Sequence, residues 1–310
     1  MPYQVPRVQI VPQPDDQVSV QVEGRERLRW HASPRYPRPF FFPLLGPSGR
    51  SLTRMGHPID PTHEHHRSLW WGHHEVAGVN FWEERPDRPG GPQVRQDAWV
   101  HYQDGSDEAG LAVHIGWYDA HKVRLLQQEM IAVYRPLDHD EGWLELQTTF
   151  TPALDQLTLG KTNFGFLGLR VAESMSAHYG GGHLTNSEGG RGEKELFAKP
   201  ARWVDYSGPI TASATEGVTW FDHPSNPRHP PPWHVRDDGW MSAAFNLAEA
   251  YVLEKAKPLR LRYGFHVHAG NRDPARAGQR AAEFAAAPAW KLVPAERPWR
   301  HVLRRAGNAT

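Results

Sequence analysis

The stretch Leu259-Arg260-Leu261-Arg262-Tyr263-Gly264-Phe265-His266-Val267-His268 decides the fold class, because large apolar residues alternate with small or polar ones throughout it. A period of two places successive side chains on opposite faces of a β-strand. The same alternation recurs in shorter form along the chain, between turn residues, and is typical of antiparallel sheets with one buried face. The other predicted strands cover residues 18–22, 27–30, 98–102, 111–118, 128–134, 142–150, 167–171 and 217–221.

One helix is predicted, near the C-terminus. Asp273 is a suitable N-cap, Pro274 is favoured at the first helical position, and Pro288 would end the helix after residue 287. Proline is as frequent as glycine, with 28 of each, which argues against a helical protein. The sequence therefore predicts an all-β protein. We expect a large antiparallel β-sandwich with few short helices, as a single domain over residues 1–310.

The composition restricts the partners and the compartment. Lys plus Arg and Asp plus Glu number 35 each, so the formal net charge is zero and neither nucleic acid nor an anionic membrane surface is an expected partner. The absence of cysteine excludes disulfides and a thiolate nucleophile. No apolar run approaches the roughly 20 residues of a membrane helix, and the N-terminus lacks a signal-peptide pattern. We expect a cytoplasmic protein, and nothing in the composition indicates an oligomeric state.

Two histidine-rich runs are the main indication of function. The first is His63-Glu64-His65-His66-Arg67-Ser68-Leu69-Trp70-Trp71-Gly72-His73-His74-Glu75. The second is Asp222-His223-Pro224-Ser225-Asn226-Pro227-Arg228-His229-Pro230-Pro231-Pro232-Trp233-His234-Val235-Arg236-Asp237. An imidazole titrates near neutral pH and can act as acid, base or metal ligand. Because both runs also contain carboxylates and tryptophan, we expect them to form two walls of one polar, aromatic pocket.

The histidines of these runs are candidates for catalysis and for metal binding. The first run follows Asp60-Pro61, so an extended backbone is expected, with His63 and His65 on one side and His66 on the other. His65, His66 and His223 are candidates for a general acid or base. His63, His65 and His223 are the first candidates for metal ligands. No cofactor is required by this interpretation, since the compact His-Glu-x-x-His motif is absent. A divalent metal and a purely structural set of hydrogen-bonded histidines are the alternatives.

Charged residues near the two runs supply partners for the histidines. Glu75 or Glu188 is predicted to pair with the catalytic histidine as the opposite acid or base. Arg67 or Lys161 would stabilise a developing oxyanion. Arg67 could instead form a structural ion pair with Glu64 or Glu75, and Glu188 could belong to a solvated, charged loop.

The remaining candidates are residue types that bind sugar hydroxyls or stack against sugar rings. The flat face of tryptophan suits the C–H surface of a sugar, although each tryptophan could equally pack in the core. The prolines of the second run lower the entropic cost of ordering its polar residues. The predicted substrate-binding residues are Arg67, Trp70, Trp71, Asn80, Trp82, Lys161, Asp205, Asn226, His229 and His234.

Several segments together resemble one bacterial family over nearly the whole chain. The longest is Asp222-His223-Pro224-Ser225-Asn226-Pro227-Arg228-His229-Pro230, and on these residues the chain resembles the PmoA-like family. The family usually has His-Pro-His-His-Arg where this chain has His63-Glu64-His65-His66-Arg67, so that a glutamate replaces the proline and the histidines are kept. The other matching segments cover residues 38–44, 63–70, 78–82, 193–195 and 203–208.

The resemblance implies carbohydrate metabolism by association only. The family name refers to a methane-oxygenase subunit, which is a membrane protein, and no segment of this chain is apolar enough to span a bilayer. Family members occur beside sugar dehydrogenases and sugar isomerases. The strand pattern also resembles the galactose-mutarotase-like supersandwich, in which a broad sheet face carries polar and aromatic residues around a sugar. No settled catalytic residues can be carried over from the PmoA-like family.

These observations favour a carbohydrate-active enzyme that acts on a small-molecule sugar or sugar derivative by His/Glu acid–base chemistry. The reaction would be that of a mutarotase, an epimerase or a lyase. Two alternatives use the same residues, namely a non-catalytic sugar-binding protein and a metal-dependent hydrolase or oxygenase. Under all three hypotheses, His66→Ala or His223→Ala is expected to abolish function and leave the fold intact.

Overall fold

The computed structural model describes residues 5–57, 63–84, 90–295 and 300–307. Strands dominate these ranges, as the alternating segments predict. The strands are β1 (Val8–Gln13), β2 (Gln17–Val22), β3 (Arg25–His31), β4 (Phe40–Leu44), β5 (Leu69–His73), β6 (Gln93–Gln103), β7 (Ala109–Tyr118), β8 (Arg124–Pro136), β9 (Gly142–Pro152), β10 (Gln156–Leu159), β11 (Gly165–Arg170), β12 (His183–Asn186), β13 (Trp203–Pro209), β14 (Thr215–Asp222), β15 (Trp233–Arg236), β16 (Trp240–Ala243), β17 (Tyr251–Glu254), β18 (Leu259–Ala269), β19 (Trp290–Pro294) and β20 (His301–Arg305). The helices are α1 (Gly192–Leu196) and α2 (Pro274–Ala286).

Two eight-stranded sheets form the body of the protein. The first sheet has the strand order β1-β2-β3-β4-β5-β11-β16-β15, and the second has the order β12-β13-β14-β18-β9-β8-β7-β6. Neighbouring strands in both sheets are antiparallel. Strands β10 and β17 form one small additional sheet, and β19 and β20 form another. The predicted all-β, antiparallel fold with few short helices is confirmed.

The two large sheets pack face to face around one aromatic-rich core. The ring centroid of Trp71, on β5, lies 5.6 Å from that of Phe150 and 6.2 Å from that of Tyr263, both on the second sheet. Phe166, on β11, stacks on Phe150 with the ring centroids 4.7 Å apart. These rings belong to one continuous buried cluster. Since burying a large apolar side chain contributes about 1.5–3 kcal/mol, this cluster is what holds the predicted sandwich together.

Helix α2 covers part of the outer face of the second sheet. The side chain of Asp273 accepts hydrogen bonds from the backbone N–H groups of Ala275 and Arg276, and Pro274 occupies the first turn, as the sequence predicts. Phe284 packs on Trp143 of the sheet, with the ring centroids 5.5 Å apart. The helix ends one residue earlier than predicted, and its capping and packing confirm the prediction of a helix here.

The sequence does not predict α1, which is a single turn of five residues in a glycine-rich segment. Its first turn is held by reciprocal hydrogen bonds with Asp237, forty-four residues further along the chain. The N–H of Glu193 donates to Asp237 Oδ1 (3.0 Å), and the N–H of Asp237 donates to Glu193 Oε2 (2.9 Å). Local propensity gives no signal for a turn that depends on such a distant partner. Neither helix in the described part of the chain is long and apolar enough to cross a membrane.

A buried carboxylate on β9 ties β18 and β20 to that strand. Glu145 is only 1% exposed and accepts hydrogen bonds from Arg262 Nη2 (2.8 Å) and Arg305 Nη2 (2.7 Å). Arg262 Nη1 also donates to His223 Nε2 at 2.8 Å. Removing one partner of a buried ion pair leaves the other charge uncompensated, which is strongly destabilising.

We therefore expect Glu145→Gln to lower the free energy of unfolding by about 3 kcal/mol, because two guanidinium groups lose their counter-charge. Urea unfolding followed by circular dichroism measures this change. The matched control is Glu23→Gln, which removes an exposed ion pair with Arg7 (2.9 Å) and is expected to cost less than about 1 kcal/mol. Equal losses in the two variants would contradict the structural role of Glu145.

Candidate functional site

The outer face of the first sheet carries a cavity of about 690 Å³. Along β5 the side chains alternate, so that Trp71 enters the core and Trp70 lies on the outer face. Gly168 pairs with Trp70 across β11, and Arg170 pairs with Trp240 across β16. Trp70, Arg170 and Trp240 therefore share the outer face, and the cavity lies against this face.

Histidines, carboxylates, arginines and aromatic rings line this cavity. Its volume lies within the usual range for small-molecule sites. The described lining residues are His63, His65, His66, His74 and His234; Glu64, Glu83, Glu84 and Asp238; Arg170 and Arg236; and Trp82, Phe164 and Trp240.

The first histidine run turns instead of extending. The N–H of His66 donates to the carbonyl of His63 at 3.0 Å, which closes a turn. The ring centroids of His65 and His66 lie 4.5 Å apart, those of His63 and His66 4.9 Å, and those of His63 and His65 5.8 Å. The expectation that His66 faces away from the other two is wrong, because the turn gathers all three rings at one cavity.

His66 packs against two indole rings that also contact each other. Its ring centroid lies 5.3 Å from that of Trp70 and 5.0 Å from that of Trp240, with interplanar angles of 29° and 24°. The side chain is buried, and its Nδ1 has no hydrogen-bond partner among the described residues. Burial lowers the pKa of His66 well below its ordinary value, and the positive charge of Arg170 lowers it further. His66 is therefore neutral at pH 7.

A glycine makes this stacking geometry available. A Cβ atom at Gly168 would lie 2.1 Å from Cη2 of Trp240, which is far inside van der Waals contact. The indole of Trp240 can therefore lie across β11 and reach His66 only because position 168 has no side chain.

His234, from the second run, lies at the same cavity. Its Nδ1 is 2.9 Å from the carbonyl oxygen of Asn163, and since a carbonyl only accepts, Nδ1 carries the proton. No described residue hydrogen bonds to its Nε2. Burial lowers the pKa of His234 to about 4, against the opposing effect of the bond to Asn163. Its ring centroid lies 5.8 Å from that of Trp240, so the two histidine runs meet at one indole.

An ion pair forms the charged part of the cavity. Both terminal nitrogens of Arg170 contact the carboxylate of Asp238, at 2.5 Å and 3.2 Å. His57 Nε2 lies 3.4 Å from the same carboxylate. Burial alone would raise the pKa of Asp238, but Arg170 holds that pKa below its ordinary value. The pair therefore keeps both charges at the cavity at neutral pH.

Two aromatic rings form a further wall. The ring centroids of Trp82 and Phe164 lie 5.6 Å apart. Trp82 is buried, whereas Phe164 is 37% exposed, which is unusual for so large an apolar side chain beside a cavity. The exposed ring provides an apolar surface against which a flat ligand face can stack.

A family model of unknown function matches residues 17–282. The chain belongs to this family, the Family of unknown function (DUF6807). Membership of this family does not assign an activity to the chain. The resemblance to the PmoA-like family stays a prediction. A comparison with curated proteins finds no match.

Comparison with solved structures gives distant similarities. One is to a structure described as a kojibiose phosphorylase from the human microbiome, with 9% identity and a TM-score of 0.33. The alignment covers 91% of the DUF6807 chain and 36% of the other chain, so the DUF6807 chain spans about a third of that protein. Another is to the crystal structure of HI1317, with 11% identity and a TM-score of 0.22, covering 86% and 100% of the two chains. These similarities are too weak to carry an argument about function.

Three other predicted binding residues have local structural partners. The guanidinium of Arg67 forms a two-point ion pair with Glu84 and lies 4.9 Å from the ring centroid of Tyr36, so the structural alternative applies, with a different carboxylate from those expected. Asn80 accepts the backbone N–H of Trp82 at 2.8 Å, which is ordinary turn chemistry. Trp71 lies in the core, where its indole N–H contacts Met130 Sδ at 3.3 Å.

The predicted carboxylate partners lie away from the cavity. The side chain of Glu75 packs against Gly160, and its carbonyl accepts the Gly160 N–H at 2.7 Å. Glu188 follows β12, accepts from Ser187 Oγ at 2.8 Å and is exposed. Lys161 is also exposed, in a turn after β10. None of Glu75, Glu188 and Lys161 lines the cavity.

Most of the second run belongs to the opposite sheet. His223 lies under α2, where its Nε2 accepts from Arg262 and its Nδ1 contacts Ser225 Oγ at 2.8 Å. The Asn226 amide donates to Asp222 Oδ1 at 2.7 Å, and His229 Nδ1 lies 2.7 Å from Asp222 Oδ2. These hydrogen bonds fix the loop itself. The two runs therefore share the cavity only through His234 and Arg236, both on β15.

Asp205 is likewise part of a buried network. It accepts hydrogen bonds from Ser207 Oγ (2.5 Å) and Thr219 Oγ1 (2.6 Å) and lies 2.8 Å from His268 Nε2. All four residues are buried, so Asp205 is satisfied within the protein and does not line the cavity.

The three predicted metal ligands are not brought together. His63 and His65 line the cavity, whereas His223 is bonded to Arg262 on the other sheet. Among the residues that the structure describes, no group of three or more His, Asp or Glu side chains is arranged to hold a metal ion. The prediction that these three histidines form one ligand set is therefore wrong, because His63 and His65 lie at the first sheet and His223 lies against β18 of the second.

The candidate site residues named from the sequence do not include nine that line the cavity, namely Glu64, His74, Glu83, Glu84, Phe164, Arg170, Arg236, Asp238 and Trp240. A signal exists for Arg170, since it is the only charge in the otherwise apolar predicted strand 167–171. A charge inside a buried strand needs a partner or a role, and here it has Asp238. No comparable local signal marks Trp240 or Phe164.

We expect His66 and His234 to remain unprotonated between about pH 5 and 8, since burial disfavours their charged forms. Long-range proton–nitrogen NMR spectra of the imidazoles, recorded through a pH titration, measure this. Each signal is assigned by its loss in His66→Gln or His234→Gln. A pKa near the ordinary value for either ring would contradict the geometry described.

Proposed function

We propose that the protein is a carbohydrate-active enzyme that takes a sugar or sugar derivative into the cavity and acts on it by histidine acid–base chemistry. One observation carries this proposal. Two histidines held neutral by burial, His66 and His234, contact the same indole, that of Trp240, at an open polar cavity. Family membership supplies no competing activity.

The wall chemistry suits a sugar. A sugar ring presents an apolar C–H face and a rim of hydroxyls, and Phe164 with Trp82 offers a partly exposed aromatic surface for the face. Glu64 and Arg236 line the cavity as groups that accept and donate hydrogen bonds to hydroxyls. A few polar groups beside an apolar surface are the usual composition of small-molecule sites.

The histidines supply the proton transfer. Because Asn163 holds the proton of His234 on Nδ1, Nε2 keeps its lone pair and can accept a proton from the substrate. His66 is neutral as well, so its ring N–H can donate a hydrogen bond to a substrate oxygen on which negative charge develops. In ring opening of a sugar, Nε2 of His234 would take the proton of the anomeric hydroxyl and return it to the ring oxygen as the C–O bond breaks. In β-elimination from a sugar acid, it would take the proton next to the carboxylate and return it to the leaving oxygen.

The buried Arg170 would complete the site electrostatically. It holds a positive charge at the cavity, where negative charge on a sugar oxygen would be stabilised as the proton leaves. This role replaces the one predicted for Arg67 and Lys161, neither of which lines the cavity. No cofactor is required for this chemistry.

We expect His234→Gln and His66→Gln each to lower kcat/KM by roughly 100-fold, because a general base and a hydrogen-bond donor to developing charge each contribute about that much. The assays are polarimetry of freshly dissolved glucose and galactose for mutarotation, and ultraviolet absorbance of the unsaturated product from galacturonides for elimination. The matched control is Glu188→Gln, an exposed position outside the cavity, which is expected to keep full activity.

Circular dichroism and thermal unfolding must show that each variant is folded. Binding of these sugars without turnover, abolished by the same substitutions, would identify a non-catalytic sugar-binding protein. Full activity in both histidine variants would overturn the proposed chemistry.

The pH dependence follows from His234. The base must be unprotonated, so kcat/KM is expected to be level near neutral pH and to fall as the pH drops through about 4, where His234 gains a proton. Stopped assays at each pH measure the profile. The enzyme is then returned to neutral pH, and recovery of its activity distinguishes titration of His234 from acid unfolding. A fall of kcat/KM centred near pH 6.5 would exclude His234 as the base.

A further inference from the structure

A second, smaller cavity lies at the edge of the other sheet. It has a volume of about 260 Å³, and no carboxylate lines it among the residues that the structure describes. It lies between β12, the turn that begins α1 and the residue before the N-cap of α2. Its lining residues are His183, Leu184, Thr185, Arg191, Gly192 and Arg272.

Arg272 is held in place without a counter-charge. Its guanidinium lies 5.0 Å from the ring centroid of Trp203, and Nη1 contacts the carbonyl of Asn186 at 3.5 Å. Its Nε is buried and has no hydrogen-bond partner within the described chain. No described carboxylate lies within ion-pair distance of this guanidinium. A positioned arginine with unused donors is suited to bind an oxyanion.

Arg191 provides a second guanidinium. Its side chain is exposed and forms no ion pair with a described carboxylate. The acidic groups nearby are engaged elsewhere, because Glu195 accepts the backbone N–H of Arg191 at 2.8 Å and Asp237 accepts that of Glu193 at 3.0 Å. The two arginines of this cavity therefore have no carboxylate partner among the residues that the structure describes.

Thr185 adds a hydroxyl to the two arginines. The residue is 7% exposed, and its Oγ1 has no hydrogen-bond partner in the described part of the chain. Unsatisfied buried polar atoms are rare in folded proteins and indicate a missing partner. Two guanidinium groups and a hydroxyl are donors that match the oxygens of a tetrahedral anion.

We propose that this cavity is a binding site for a phosphate group. The site lies on the opposite sheet from the proposed sugar cavity and shares no lining residue with it. Its occupation is therefore independent of the proposed enzymatic function. The phosphate is either free inorganic phosphate or the terminal group of a phosphate monoester, since both present the same three oxygens.

The test is isothermal titration calorimetry of the full chain at low ionic strength, with inorganic phosphate and glucose 6-phosphate titrated separately. We expect saturable binding that weakens at least roughly tenfold in Arg191→Gln and in Arg272→Gln, because each loses charged hydrogen-bond donors. The matched control is Arg260→Gln, an exposed arginine outside both cavities, which is expected to bind normally.

Tighter binding of the ester assigns the site to phosphate monoesters, and equal or weaker binding of the ester assigns it to free phosphate. Binding of neither probe overturns the proposal, as does binding that survives both substitutions. Arg272→Gln removes the contact with Trp203, and this loss could unfold the variant. Arg191 is exposed, so Arg191→Gln is expected to stay folded and tests the site by itself.

Discussion

The stacking of His66 on Trp70 and Trp240 is the interaction on which the rest of the candidate site depends. It requires β5, β11 and β16 to be neighbours and Gly168 to have no side chain. The same stack removes His66 from water, and this keeps the imidazole neutral. Trp240 then extends the contact to His234, so one indole determines the relative position of both histidines of the proposed site.

The two outer faces of the sandwich explain why similar residues have different roles. Helix α2 covers part of the second sheet, so the polar groups beneath it, such as His223 and Glu145, must be satisfied by one another. The cavity face of the first sheet has no such cover in the described structure, and the Nε2 atom of His234 has no hydrogen-bond partner there. A covered polar group stabilises the fold, whereas an uncovered one is available to a ligand.

Part of the site could be predicted from local sequence because its residues are close along the chain. His63, His65, His66 and Trp82 line one cavity as the first run indicates. The second run misled the prediction, since its loop around Asp222 lies at the opposite sheet, and only its end, Trp233–Arg236, enters the first sheet. Strand order decides such pairings, and it depends on contacts between distant segments.

The sequence by itself determined the period-two strands, the antiparallel all-β class and the capped helix α2, because each follows from side-chain alternation or from capping within a few residues. Only the tertiary structure decided which polar residues face a cavity. The order β5-β11-β16-β15 brings Arg170, Trp240 and His234 beside the first histidine run, although these residues are about 100 to 170 positions away from it. Their burial, and hence their protonation, arises from that packing.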